Sequence, residues 1–218
     1  MTHEHSIDHN ARIRRVCVNG HGLPILFLLL LMTGCGGGDQ TTDMTAEREA
    51  AEAQARRATE RLVGTLMGEV QQSIRADGLA GAVSHCATRA QELSHIVGEE
   101  EGVKIRRVTG KTRNPLDAPD NYEKIILSRF EAMTASGELN PTTVHSEVME
   151  TDGRRVLRFL KPIVIRKNCL GCHGGADDIP EDVKAQLREY YPSDQATGYR
   201  EGELRGAVSV LVPLQSDE

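Results

Sequence analysis

The sequence predicts an α+β domain, with helices first and an antiparallel sheet after them, on three observations. Apolar side chains recur at helical spacing through residues 45–97, β-rich runs dominate after residue 142, and Asp152-Gly153 stands between two of those runs as a hairpin turn. We expect the helices to pack on one face of the sheet. At 218 residues the chain has room for one domain with a leader and a tether, but hardly for two.

The first 35 residues read as an address. Arg12, Arg14 and Arg15 precede the apolar run 23–32, which falls short of the about 20 residues a membrane-spanning helix needs. Thr33-Gly34-Cys35 closes that run and resembles a bacterial lipobox, which implies a lipoprotein signal peptide over 1–34 and lipid attachment at Cys35. The residues flanking Arg14-Arg15 do not match the twin-arginine pattern, so the general secretory route is expected. Gly36 after the lipidated Cys, in place of Asp, resembles outer-membrane lipoproteins of enteric bacteria. The expected location is the periplasm, anchored in the outer membrane in preference to the inner. Residues 35–43 are Gly-rich and polar and read as a flexible tether, which leaves 44–218 as a single domain.

Residues 45–76 lack Pro and place Ala55, Ala58, Leu62, Leu66, Val70 and Ile74 on one helical stripe. Asp77-Gly78 breaks this helix. A second helix over 79–97 carries Leu79, Ala82, Val83, Cys86, Ala90, Leu93 and Val97 on its apolar face. A strand at 103–108, a Pro- and Asn-rich loop through Pro119 and a helix over 121–135 follow, with Ser136-Gly137 as the stop. Strands at 142–149 and 156–165, a short helix at 180–190 and a last strand at 206–214 complete the domain.

Composition narrows the function classes. A formal net charge of −6 argues against a nucleic-acid partner. Aromatics make up only 3% and Trp is absent, so the core is filled by aliphatic side chains or by something other than an amino acid.

Cys169-Leu170-Gly171-Cys172-His173 is the c-type haem attachment pattern: each thiol adds across a haem vinyl group and the adjacent imidazole reaches the iron. A zinc site would need a fourth ligand and usually a second paired motif. A thioredoxin-type dithiol would sit at a strand-to-helix turn of a parallel sheet, and a plain disulfide is the remaining alternative in an oxidising compartment. The export signal places the motif where c-type haem is assembled, so one covalent haem is expected, on Cys169 and Cys172, with His173 as an iron ligand. Candidates for the other axial position are Cys86, His85, His95, His145, Met149 and Met133. Cys86 is the one cysteine outside the leader (Cys17), the lipobox and the motif, although a lone thiol on an apolar stripe is often just a small buried hydrophobe. His85 lies about 100° round the helix on the wetter side. Haem propionates should pair with cations, and Arg106, Arg107, Lys111 and Arg113 are the nearest cluster, with Arg107 and Arg113 the chosen pair.

Ala82-Val83-Ser84-His85-Cys86, Arg107 with Arg113-Asn114-Pro115 and Ala118-Pro119, Lys161-Pro162, the Cys169–His173 motif and Gly206-Ala207-Val208-Ser209-Val210 together resemble the monohaem c-type proteins with a PAS-like fold. That family occurs free-standing in the periplasm or lumen and as the sensing segment of histidine kinases. The resemblance spans 74–214 and implies a PAS-like antiparallel sheet with the N-terminal helices packed on it. It also implies iron ligation by His173 and Cys86. Family members often read Arg-Thr-Ser where this chain has Arg107-Val108-Thr109, which loosens the propionate assignment.

The expected function is a lipid-anchored redox or small-ligand sensor, responsive to a change in iron oxidation or ligation, with a small gas as a candidate ligand. A simple periplasmic electron carrier is the alternative. The chain carries no kinase segment, so a separate redox or signalling protein is the expected partner, together with the membrane through the lipid. No enzymatic activity is expected: two protein ligands leave no open iron position, and no acid–base pair is legible near the motif.

Overall fold

The structure, a computed structural model, describes residues 39–215, all within the unit Gly38–Glu218. The expected signal peptide, the lipobox Cys35 and the start of the tether lie outside the described residues. The tether expectation is corrected over 39–43, because helix α1 (Asp39–Glu101) begins at Asp39. Once the following residues are helical, extending the helix backwards needs no new nucleus, and Asp43 suits the positive end of the helix dipole.

At Gly78 the backbone of α1 leaves helical geometry (φ 74°, ψ −178°), at the break read from Asp77-Gly78. Positive φ is open to glycine without the Cβ clash other residues meet. The chain doubles back there, so α1 has two arms laced together by Arg61 with Glu100 and Glu101, Gln54 with the Glu101 carbonyl, and Glu69 with His85 and Arg89.

Four strands form one antiparallel sheet in the order β1 (Lys104–Val108), β4 (Leu204–Pro213), β3 (Arg154–Val164), β2 (His145–Thr151). Asp152 (φ 52°) and Gly153 (φ 71°) make the hairpin joining β2 to β3, with the two positive φ values that match strand twist. Both arms of α1 bury Ala55, Ala58, Leu62, Leu93 and Val97 against Leu157, Phe159, Val208, Val210 and Val212 on one sheet face.

Helices do not keep to one face, which corrects the expectation. α2 (Asn121–Ser136) sets Ile126, Leu127 and Phe130 against Val108, Leu160 and Ala207 on the opposite face. The reason lies in the central strands: 156–160 and 206–210 are buried without interruption, as strands are when both faces are covered. α2 opens with a capping box, in which Asp120 accepts from the Glu123 amide (2.7 Å) and Glu123 accepts from the Asp120 amide (2.8 Å). Gly137 closes it in the left-handed conformation. α4 (Glu181–Tyr190) packs Val183 and Leu187 against Val83 and Leu79 of the second α1 arm. Among the described residues, no helix is long and apolar enough to cross a membrane.

Candidate functional site

The Cys169–His173 segment is helical rather than loop. A 3₁₀ turn, Lys167–Cys169, runs into a single α-turn, α3 (Leu170–His173). Residues three apart in such a turn share a face, so Cys169 and Cys172 project together, with His173 one step on. Cys169, Cys172 and Cys86 are all free thiols.

The loop 191–199 clamps this turn from outside. Tyr199 donates its amide to the His173 carbonyl (3.0 Å), and Gly198 donates to that of Gly174 (2.7 Å). His173 Nδ1 lies 2.8 Å from the Ala196 carbonyl oxygen, which can only accept, so Nδ1 carries the proton and the Nε2 lone pair is left available. Burial, with Arg113 and Arg205 nearby, pushes the His173 pKa down to about 3, which keeps the ring neutral. Arg113 ties the cluster together. It donates to the Cys172 carbonyl (2.5 Å), the Ala196 carbonyl (3.3 Å) and Asp194 (3.1 Å), and its side chain is only 12% exposed.

A cavity of about 540 Å³ opens between this segment, the sheet end and both arms of α1. Its size falls within the ~300–1,000 Å³ usual for cofactor sites. Val63, Leu66, Val70 and Ile74 line it from the first arm, and Leu79 and Val83 from the second. Cys169, Cys172 and His173 stand on its wall, and Cys86 reaches it from the second arm of α1. Burial raises the Cys86 thiol against the pull of Arg107 and Arg113, and burial likewise raises Cys172. Both side chains are therefore held as neutral thiols until a reaction or a metal takes the proton.

Of the six candidates for the second iron ligand, Cys86 is the one that lines the cavity. His85 is turned away to Glu69 (2.9 Å), and His95 is exposed. His145 meets Tyr122 (2.9 Å) on edge strand β2, which also carries Met149, and Met133 packs under α2. The basic cluster is divided by strand alternation. Arg107 faces the cavity and meets Asp117 at 3.5 Å, whereas Arg106 crosses to the α2 face and pairs with Glu123. Lys111 lies over the Tyr199 ring (4.7 Å). Among the lining residues that the sequence did not single out are Val63, Met67, Tyr191 and Arg205. Met67 and Val63 share a helical spacing with the stripe already identified, but the other two gave no sequence signal.

No curated protein matches the chain. The solved structure described as that of the cyanobacterial heme-protein Tll0287 is 26% identical, covering 71% of this chain and 95% of that one, with a TM-score of 0.48. The family model described as Tll0287-like matches residues 41–213, a stretch that takes in both arms of α1, the whole sheet and the Cys169–His173 turn. The chain belongs to the Tll0287-like family.

Proposed function

We propose that this chain is an exported, lipid-anchored monohaem c-type protein whose haem reports redox state or a small ligand to a separate protein partner. The observation that carries the reading is the meeting, in one cavity, of two same-face thiols, an imidazole with its Nε2 free, and a third thiol from a different element. Membership of the Tll0287-like family, named for a protein described as a heme-protein, supports it. Among the described residues, no three His, Cys, Asp or Glu side chains gather as a self-sufficient metal site. A porphyrin brings four nitrogens of its own, so two protein ligands are enough. Haem, when bound, would supply a one-electron iron centre within a mostly apolar pocket.

The chain's own residues then have distinct tasks. Cys169 and Cys172 would hold the group covalently. His173 would donate Nε2, its ring fixed through Nδ1 by the Ala196 carbonyl. Cys86 would bind as thiolate, a state that a buried thiol reaches only beside a cation. A sensor role is favoured over electron transfer because Cys86 sits on an arm hinged at Gly78 and laced to its neighbour through Glu69. Release of Cys86 on reduction would free that arm to move. The antiparallel sheet with helices on it fits the PAS-like fold of the family that the sequence resembles. Anchoring through Cys35, in the outer membrane in preference to the inner, belongs to the same proposal, as does the absence of enzymatic activity.

Expression with the c-type maturation machinery tests the attachment. The wild-type protein retains haem stain after denaturing electrophoresis, and the Cys169→Ala/Cys172→Ala variant loses it. A colourless wild-type protein would end the reading.

A further inference from the structure

Four arginines line the cavity; Arg75 is exposed at its mouth, and the counter-charges of the other three, Arg107, Arg113 and Arg205, do not balance. Arg113 meets Asp194 at 3.0 Å and Arg107 meets Asp117 at 3.5 Å. Arg205 has no carboxylate partner among the described residues. Its Nη1 donates to Thr109 Oγ1 (2.8 Å) and to the Lys111 carbonyl (3.2 Å), and its plane lies by the Tyr199 ring, 5.6 Å from the centroid. Arg107 adds a second open valence, since its Nε is buried without a hydrogen-bond partner. A half-buried cation without a carboxylate partner, beside a buried donor without an acceptor, is a costly arrangement for a folded protein to keep.

The backbone holds Arg205 in this place. Across β3 and β4, Ile163 pairs with Gly206 and Val164 pairs with Leu204, which leaves Arg205 as the extra residue of a β-bulge. Bulges re-aim a side chain at the end of a ladder. Gly206 makes this one possible: its φ is 154°, and a Cβ there would lie 2.3 Å from the Val108 carbonyl oxygen. The bulge thus accounts for the glycine that opens Gly206-Ala207-Val208.

We propose that Arg205 and Arg107 form a carboxylate-binding locus in the cavity wall, and that its occupant in the holoprotein is a haem propionate. The proposal rests on the haem reading above and changes one of its expected residues. Arg113 was expected to share this task with Arg107, but its charge is met by Asp194, and its Nε and Nη2 are taken up by Asp194 and the Cys172 and Ala196 carbonyls. It is a positioning residue for the motif.

The test uses ferric holoprotein made with haem carrying ¹³C-labelled propionate carboxyls, so that infrared bands are assigned to the propionates and not to a free acid or a side chain. On acidification, Arg205→Met protonates a labelled propionate at a pH higher than wild type by roughly one to three units, and Arg205→Lys stays near wild type. If Arg205→Met fails to load haem, Arg205→Gln is read in its place. Labelled propionate bands that titrate identically in wild type and in the neutral variant overturn the locus while leaving haem attachment standing. A wild-type protein without covalent haem removes the haem reading itself.

Discussion

The two faces of the sheet near β1 treat their arginines in opposite ways. On the α2 face, Arg106 and Arg158 converge on Glu123, which is 1% exposed, and Arg158 also reaches Asp120 at 2.7 Å and lies over the Tyr122 ring. Glu123 Oε1 meets Arg158 at 3.3 Å as an ion contact without hydrogen-bond geometry and Arg158 Nε is buried without a partner, but both guanidiniums there face a carboxylate. On the cavity face, Arg107 keeps an unused buried donor and Arg205 lacks a carboxylate. Adjacent residues of one strand, Arg106 and Arg107, therefore belong to two designs. One is matched in charge as folded, and the other is the side proposed to take an anion.

Breaking the matched side has the largest expected effect. Glu123→Gln leaves two guanidiniums facing a neutral amide in a buried setting, and the expected loss is about 3–5 kcal/mol of unfolding free energy. Arg107→Met, on the open side, costs the haem-free protein less, about 1.5–3 kcal/mol, because the pair it removes is long at 3.5 Å and Gln91 still donates to the buried Asp117. Urea unfolding of both variants without haem checks the pair, and equal losses would erase the distinction between the faces.

A smaller effect is expected at the rim of the matched side. Burial works to raise the Asp120 carboxyl, but the Glu123 amide and the Arg158 guanidinium outweigh it and hold its pKa below the ordinary value. A carboxylate so depressed contributes stability that is full above its unfolded pKa, about 3.9, and is lost as pH falls through the lower folded value. Asp120→Ala therefore costs about 1 kcal/mol near neutrality, mostly as the lost helix cap, and the difference from wild type narrows below about pH 4. Thermal unfolding across that pH range checks the sign, and a gap that widens in acid would contradict it.

Local features were legible in the sequence because their causes are local. Asp152-Gly153, Asp77-Gly78 and the Ser136-Gly137 stop each announce a turn or break through their own backbone preferences, and the structure has them there. The Cys169–His173 spacing likewise carries its chemistry within five residues. What was missed depends on register and on distant partners. Arg205 precedes a strand read from Gly206 onward, and no pattern of alternation marks an extra residue in one strand of a pair. Arg113 finds Asp194 across 81 residues. Placing α2 on the far face required weighing large apolar residues at both parities of one strand, Leu157 and Phe159 against Val156 and Leu160, above the alternation expected of a one-sided sheet.

The central claim is that His173 and Cys86, brought to one cavity by different elements, are the two axial ligands of a covalent haem. Ferric electron paramagnetic resonance of wild type and Cys86→Ala tests it most directly. The account predicts a low-spin thiolate-ligated signal in wild type that disappears in Cys86→Ala while covalent haem is retained, because removing the thiol vacates an iron position without touching Cys169 or Cys172. A ferric spectrum unchanged by Cys86→Ala would contradict it.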